Sequence, residues 1–391
     1  MKKILVLDAN QRSALVVIRS LGKHALYVVA ADYMSPTIGS ASRYAAASFQ
    51  YADPTRDPAR FQEDISRGVR KFGIDVVIPA TDLTSMLLVS QPECVAPAWL
   101  ACPSAESYEA LTNKQQLLSL ALELGVPVPD TRVTSTASEI RAAATEFGYP
   151  VVLKPGRSRY LKDNRVVSTA VRIVDNPGHL DTTTDRLEWL GDIPCLVQRF
   201  IPGHGAGIFA ICDHNRPVAW FAHKRLREKP PSGGVSVLSE SVAVDPSMQA
   251  SAEKLLSAAR WSGVAMIEFR MASSGTPYLM EVNGRFWGSL QLSVDCGVDF
   301  PWLLYRLGNG DIPGKVSSYA TGRRLRWLLG DLDNLMLQLR DSKLGRGAKS
   351  QVAAQFIGSF FDLSCRQEIF RWSDPRPALR EARQWFGALT K

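Results

Sequence analysis

Two acids and an amide are spaced for metal chemistry: Glu268 in "MIEFR", and Glu281 and Asn283 in "LMEVNGRFWGS". The two segments read as neighbouring strands joined by the short turn "SSGT", so their carboxylates can face one side a few ångströms apart. A strand's period of two keeps Asn283 on the face of Glu281 and adds Arg285 at the same spacing. Carboxylates this close raise one another's proton affinity unless a cation is present. Three hard oxygen donors on one spot suit Mg²⁺, which takes one or two carboxylates and completes its shell with phosphate oxygens and water. A buried strand excludes such groups unless they are paired or bound, so a charged ligand is expected here.

Two lysines stand in similar local settings. Lys114 lies in the helical segment "NKQQLLSLALELG" and Lys154 ends the apolar strand "YPVVLKPG". One lysine at a strand end is often a snorkelling surface residue, but two in such settings are harder to dismiss. The elements around them read as follows. The first hundred residues alternate strand and helix: "KILVLDA", "SALVVIRSLGK", "ALYVVAAD", "RFQEDISRGVRKFG", "DVVIPA" and "LTSMLLVS". Short connections in that order predict a parallel βαβ sheet with helices on its faces. Its first turn, "DANQRSA", has no GxGxxG, so a dinucleotide fingerprint is absent. Gly125, Pro127 and Pro129 end the following helix and mark a joint. Beyond it, strands with helices on one side predict an α+β half, including a hairpin with "DHNRP" at its tip.

These segments together resemble the ATP-grasp superfamily, in particular its carbamoyl-phosphate synthase-like branch of carboxylate-amine ligases. The resemblance rests on "MIEFR" with "LMEVNGRFWGS", on Lys114, on "VVLKP", on "LVQRFIPG" and on "HKRLREKPPSGGVS", in that family's order over about residues 1 to 310. It implies an N-terminal α/β domain over 1–110, a lid with its linker helix over 111–200, an antiparallel-sheet subdomain with the metal site over 201–310, and a small basic extension over 311–391. It also implies that Lys114 and Lys154 hold the α- and β-phosphates of ATP. Gln198, Arg199, Phe200 and Ile201 would form the hinge against adenine. Glu268, Glu281 and Asn283 would hold one or two Mg²⁺ ions, with Mn²⁺ as a substitute. Arg285 would lie beside the γ-phosphate and the substrate carboxylate, where a bidentate fork is apt.

Departures from the family pattern limit these roles. Gln198 stands where an acid is common, and "PGRSRYLKDNRVV" replaces a glycine-rich phosphate loop, so that Arg157, Ser158 and Arg159 would cover the phosphates by charge unless the loop is simply solvated. His204 also replaces an acid and would reach ribose or be structural. His223 and Arg225 enter the loop that holds Gly233, Gly234 and Ser236. There the resemblance implies Arg225 on the substrate carboxylate and backbone N–H groups on an acyl phosphate, against the alternative of a basic strand edge that discourages aggregation.

The implied reaction activates a carboxylate as an acyl phosphate with MgATP and joins it to an amine, releasing ADP and phosphate. A bicarbonate-phosphorylating carboxylase or carbamoylase keeps the fold and changes the substrate. A non-catalytic ATP-binding sensor acting through its tail is the other alternative. Composition agrees with a globular enzyme. The 391 residues suffice for two or three domains, no apolar run approaches a membrane span, and the start reads as a strand rather than a signal peptide. The cytoplasm is the expected setting, and a homodimer is compatible with it. Six scattered cysteines without a CxxC pair argue for reduced thiols with no chemistry. The net charge of +8 sits mostly in the tail, where residues 315–391 carry 14 Lys plus Arg against 7 Asp plus Glu. That tail reads as a solvated face or as a contact for an acidic polymer or carrier, tested by charge reversal at Arg323, Arg324 and Arg326; no motif indicates specific nucleic acid. Leu328, Leu332, Leu335 and Leu339 recur at helical spacing and predict a core-facing stripe.

Overall fold

The computed structural model describes residues 2–389 except Asn164, Asn215, Ser232 and Ile312. The chain opens with β1 (Lys3–Val6), α1 (Arg12–Lys23), β2 (Tyr27–Asp32), β3 (Ala47–Gln50), α2 (Pro58–Phe72), β4 (Val76–Ile78), α3 (Asp82–Ser90) and β5 (Trp99–Leu100). These strands form a parallel sheet in the order β3-β2-β1-β4-β5. The expected alternation is present. β3 was not legible, because "ASFQ" has no apolar run and lies half-exposed at the sheet edge. The strand order reverses between β1 and β4, the usual ligand position in such sheets. There Asp8 takes the left-handed backbone at φ 55°, and its buried carboxylate accepts from Ala80 N at 3.0 Å and Thr84 Oγ1 at 2.6 Å. This fastens the β4–α3 loop to the end of β1.

The helices α4 (Ala105–Thr112) and α5 (Lys114–Glu123) follow, broken at Asn113, whose side chain caps α5 by accepting from Gln115 N and Gln116 N. Next come β6 (Thr131–Thr134), α6 (Ala137–Phe147), β7 (Val151–Pro155), β8 (Arg159–Lys162), β9 (Arg165–Ser168), β10 (Arg172–Val174), α7 (Pro177–Thr184) and β11 (Cys195–Arg199). They give an antiparallel sheet β10-β7-β11-β6 with β8 and β9 as a separate hairpin. The capping box Thr136–Glu139 starts α6, and a core of Ile140, Phe147, Leu153 and Val197 lies between α6 and the sheet.

The larger sheet is built from β12 (Gly203–Asp213), β13 (Arg216–Lys229), β14 (Val235–Val242), β15 (Gly263–Ala272) and β16 (Pro277–Asn283), with α8 (Pro246–Ala258), α9 (Leu290–Asp295) and α10 (Phe300–Gly308) around it. β12 and β13 make the expected hairpin, with Asp213 paired to Arg216; Asn215 at its tip lies outside the described residues. One face buries Phe209, Phe221, Met266 and Trp287 against α1, α9 and α10 of the chain. The opposite face buries Ile208, Ala210, Ile267 and Trp261 against α4, α5 and α8. Since successive strand residues alternate faces, Glu268 lies on the face of Met266, toward the parallel-sheet unit.

The last segment joins both sheets. β17 (Arg324–Arg326), α11 (Leu328–Arg340), α12 (Arg346–Gly358), β18 (Cys365–Gln367) and α13 (Arg376–Leu389) complete the chain, and the large sheet runs β16-β15-β12-β13-β14-β17-β18 among the described residues. Asp374 binds Arg19 of α1 at 2.9 Å, tying the segment to the parallel-sheet unit. The leucine stripe of α11 does not face a core. Its buried residues are Gly330, Asp331 and Asn334, while Leu339 is exposed. The reason is electrostatic: Arg326 is 0% exposed, and its Nε donates to Asp331 at 2.6 Å, where Arg227 also donates at 2.8 Å. Arg326 therefore belongs to the interior and not to a basic docking face. Asp331→Asn is expected to lower unfolding stability by about 3–5 kcal/mol in urea titration, because two buried guanidinium groups lose their counter-charge.

The cysteines are free, and burial pushes the Cys102, Cys195 and Cys212 thiols up to about 12. They are poor nucleophiles. Among the described residues no helix is long and apolar enough to cross a membrane.

Candidate functional site

Glu268 and Glu281 stand directly opposite each other in the β15–β16 register. The pairing shifts between Glu268 and Phe269, a bulge that re-aims the strand next to the acid. Asn283 joins them, its Nδ2 lying 3.4 Å from Oε1 of each glutamate. Burial and the neighbouring Glu281 push the Glu268 carboxyl up, opposed by Arg225. Two acids and an amide form a hard-oxygen set; turning the amide over would bring its oxygen to the pair. Among the described residues no three His, Cys, Asp or Glu side chains form a cage. The low protein-ligand count fits Mg²⁺, which relies on phosphate and water for its remaining positions.

The lysines converge on this group from different elements. Lys114 is the first residue of α5, buried, with Nζ 2.8 Å from Ser158 Oγ and 3.9 Å from Glu281 Oε2. Lys154 lies on β7 opposite Leu196 of β11, and its nearest hydrogen-bonding partner is Met280 Sδ at 3.6 Å. Burial lowers Lys154 to about 8, with Glu281 pulling the other way. A phosphate on this lysine would favour the charged form, so affinity for a phosphate ligand should fall as pH rises past 8. A rise in Kd of about fivefold from pH 8 to 9, or about tenfold from pH 7 to 9, is the upper limit, reached when the bound state stays protonated. Isothermal titration at pH 7 to 9.5 measures this, and Lys154→Arg should flatten the profile because arginine keeps its charge.

A cavity of about 240 Å³ separates these groups from the parallel-sheet unit, lined by Asp82, Lys114, Ser158, Arg159, Glu281 and Asn283. Arg157 also lines it and pairs with Glu109 of α4. Thr169 holds the loop by donating its hydroxyl to the Arg157 carbonyl at 2.7 Å. The arginine-rich loop thus reaches the cavity. Arg285 is placed there too, but its fork is occupied: Nε and Nη2 donate to Asp82 at 3.1 and 3.0 Å. Arg225 is likewise held, donating to Glu268 at 2.9 Å and Glu228 at 3.0 Å.

The other expected positions divide. Gln198 is buried and donates to Thr131 Oγ1 at 2.9 Å, while Arg199 pairs with Asp130 at 2.8 Å. Phe200 lies under Arg270, 5.7 Å from the ring centroid, and the Ile201 carbonyl accepts from Arg270 at 3.1 Å. Between Lys154, Gln198 and Met280 the open space is about 20 Å³, roughly one water. A purine does not fit this space as it stands. His223 lies in one row with Glu268 across Gly207, but it is fully enclosed, and burial, with Arg225 next, lowers it to about 3. It is a neutral packing residue beside Phe209, 4.9 Å between ring centroids.

Four positions are not brought to the cluster. His204 pairs with Met271 three residues from Gly207, which puts it on the opposite face, exposed. Gly234 turns its carbonyl, 3.5 Å away, toward Arg225, and Gly233 sits beside it at φ 125°. Ser236 donates its hydroxyl back to Leu238 O at 3.3 Å. Conversely, Asp82 and Glu109 were missed. Asp82 had one local signal, its place after Thr81 at the start of a helix.

Residues 192–329 match the family model described as ATP-grasp in the biosynthetic pathway with Ter operon. Among solved structures, biotin carboxylase from Campylobacter jejuni in complex with β,γ-ATP is 18% identical, covers 83% of this chain and 74% of its own, and superposes with a TM-score of 0.66. L-amino acid ligase from Bacillus licheniformis is 15% identical over 83% and 78% of the two chains, with a TM-score of 0.64. The biotin carboxylase domain dimer of Hydrogenobacter thermophilus 2-oxoglutarate carboxylase, solved with MgADP, ADP and bicarbonate, is 18% identical over 80% and 70%, with a TM-score of 0.61. The chain therefore shares the fold of these structures, and residues 192–329, which include β15 and β16, are similar to an ATP-grasp family model.

Proposed function

We propose that the protein is an ADP-forming ligase that phosphorylates a carboxylate with MgATP and transfers the acyl group to an amine. The observation that carries this reading is the meeting of Glu281, Asn283 and Lys114 on one cavity, with Glu268 opposite Glu281 in the strand register and Lys154 on the small adjoining space that Lys114 also lines. A site built from cations and hard oxygen donors, with no activated thiol, suits phosphoryl transfer by positioning and charge neutralisation.

Glu268, Glu281 and Asn283 would hold Mg²⁺, which neutralises phosphate charge when bound. Lys114 and Lys154 bind the α- and β-phosphates as compact point charges. Arg157, Ser158 and Arg159 close over the phosphates from the small sheet, which must swing out to admit adenine and back to exclude water from a labile acyl phosphate. Arg285 faces the γ-phosphate with a guanidinium already fixed in direction. The carboxylate oxygen attacks phosphorus, ADP leaves, and the amine then displaces phosphate with loss of a proton to solvent or to phosphate.

The test is ADP release with MgATP and a panel of amino acids, hydroxy acids, amines and bicarbonate. Stimulation by a carboxylate with an amine supports the ligase. Stimulation by bicarbonate alone supports the second reading, favoured by the fold likeness to a carboxylase domain whose structure contains that anion. ATP binding without any stimulated turnover supports a sensor. An acidic polymer or carrier on the basic tail would dock through Arg323 and the cations of α12, since Arg326 is enclosed.

A further inference from the structure

We propose that Asp82 is a positioning residue for Arg285, through which the parallel-sheet unit takes part in the chemistry of the ATP half. The inference rests on the reading of Arg285 as the γ-phosphate residue given above.

The geometry is a bidentate pair between parts of the chain 203 residues apart. Arg285 Nε and Nη2 donate to the two oxygens of Asp82 at 3.1 and 3.0 Å. Nη1 donates to the Phe286 carbonyl at 3.1 Å, and Nη2 reaches Asn283 Oδ1 at 3.4 Å. Parallel bonds of this kind fix the guanidinium plane as well as its position. One edge of the fork is therefore locked, and the group is held beside Asn283. An arginine without such a partner samples many rotamers, and ordering it during the reaction would be unfavourable.

Asp82 is itself rigidly delivered. Thr81 caps α3 by accepting from Thr84 N at 3.3 Å, and Tyr108 donates to the Asp82 carbonyl at 3.4 Å. Asp8 holds Ala80 N and Thr84 Oγ1 just beside it. The strand-order reversal of the parallel sheet is thus occupied by a loop that projects one carboxylate into the cavity. Burial opposes the charge of Asp82, but Arg285, Arg159 and Lys114 outweigh it and hold its carboxyl below the usual range. With three cations around it, Asp82 is unsuited to gripping a substrate ammonium. Its chemistry is that of a counter-ion that directs Arg285.

The experiment measures Mg²⁺-dependent Kd values for ATP and ADP by displacement of a fluorescent nucleotide from the full chain. It compares wild type, Arg285→Ala, Asp82→Asn, Asp82→Glu and the double variant Asp82→Asn with Arg285→Ala. Arg285→Ala should lower the preference for ATP over ADP by about tenfold or more, the range of a charge-assisted hydrogen bond. Asp82→Asn should come within about twofold of that loss, and the double variant should lose no more than Arg285→Ala, since both changes remove one effect. Asp82→Glu, which keeps the charge, should recover part of the preference. ADP affinity should stay within about twofold throughout, because ADP lacks the group that Arg285 meets.

If Asp82→Asn keeps the wild-type preference while Arg285→Ala loses it, the positioning role is wrong and the ligase reading stands. Equal loss of ATP and ADP affinity in Asp82→Asn would make the pair a structural clasp and overturn the proposal. An unchanged preference in Arg285→Ala overturns it as well. Failure of wild type to bind either nucleotide would remove the ligase reading itself.

Discussion

Glu281→Gln should reduce substrate-stimulated ADP release by about 10³-fold, the scale of losing one preorganised electrostatic contact at a phosphoryl-transfer site. The replacement keeps size and shape while removing a charge that faces Glu268 and lies 3.9 Å from Lys114 Nζ. The cation set is reduced to one carboxylate and one amide. Unliganded stability should move the other way, because Glu268 no longer faces a second acid and its raised proton affinity relaxes. A loss of turnover with an unchanged or higher melting temperature separates a functional role from a folding role. A parallel loss of both would contradict it.

Lys154→Met should weaken MgATP binding by at least about tenfold and raise unliganded stability by about 1–2 kcal/mol. In the unliganded chain the Lys154 ammonium is buried with a thioether as its nearest hydrogen-bonding partner. Burial leaves that charge poorly compensated and lowers its pKa to about 8. Methionine matches the length and volume of the stem and removes that desolvated charge. Urea unfolding and isothermal titration on the same preparation check both signs. A destabilised variant that still binds ATP normally would assign Lys154 to the fold instead of the phosphates.

The alternation of the first hundred residues and the β15–β16 hairpin were legible because both follow local rules: apolar strands separated by amphipathic helices, and a short turn between strands. The turn alone would set Glu268 opposite Met280; the bulge beside Glu268, which the sequence did not announce, brings Glu281 opposite it, and Asn283 follows from the period of two. β3 was hidden because a half-exposed edge strand needs little apolar character. The α11 stripe misled for a different reason. Leu332 and Leu335 are only partly covered, while Asp331 and Asn334 take the interior because Arg326 and Arg227 are already there. Arginines 323, 324 and 326 look alike in sequence, yet Arg324 bridges Glu240 and Asp362, and Arg326 is enclosed by Asp331 and two phenylalanines. Asp82 shows the limit most clearly. A lone acid in the first turn of a helix is an ordinary capping residue, and only its contact with Arg285 across the cavity gives it a further role.

The central claim is that a carboxylate oxygen attacks the γ-phosphate. It is tested most directly by supplying the stimulating carboxylate with both oxygens labelled as ¹⁸O and analysing the released phosphate by mass spectrometry. The expected result is one ¹⁸O in each phosphate released with ADP, since the acyl phosphate leaves its bridging oxygen on phosphorus. Unlabelled phosphate accompanying amide formation, or release of AMP and pyrophosphate in place of ADP and phosphate, would contradict it.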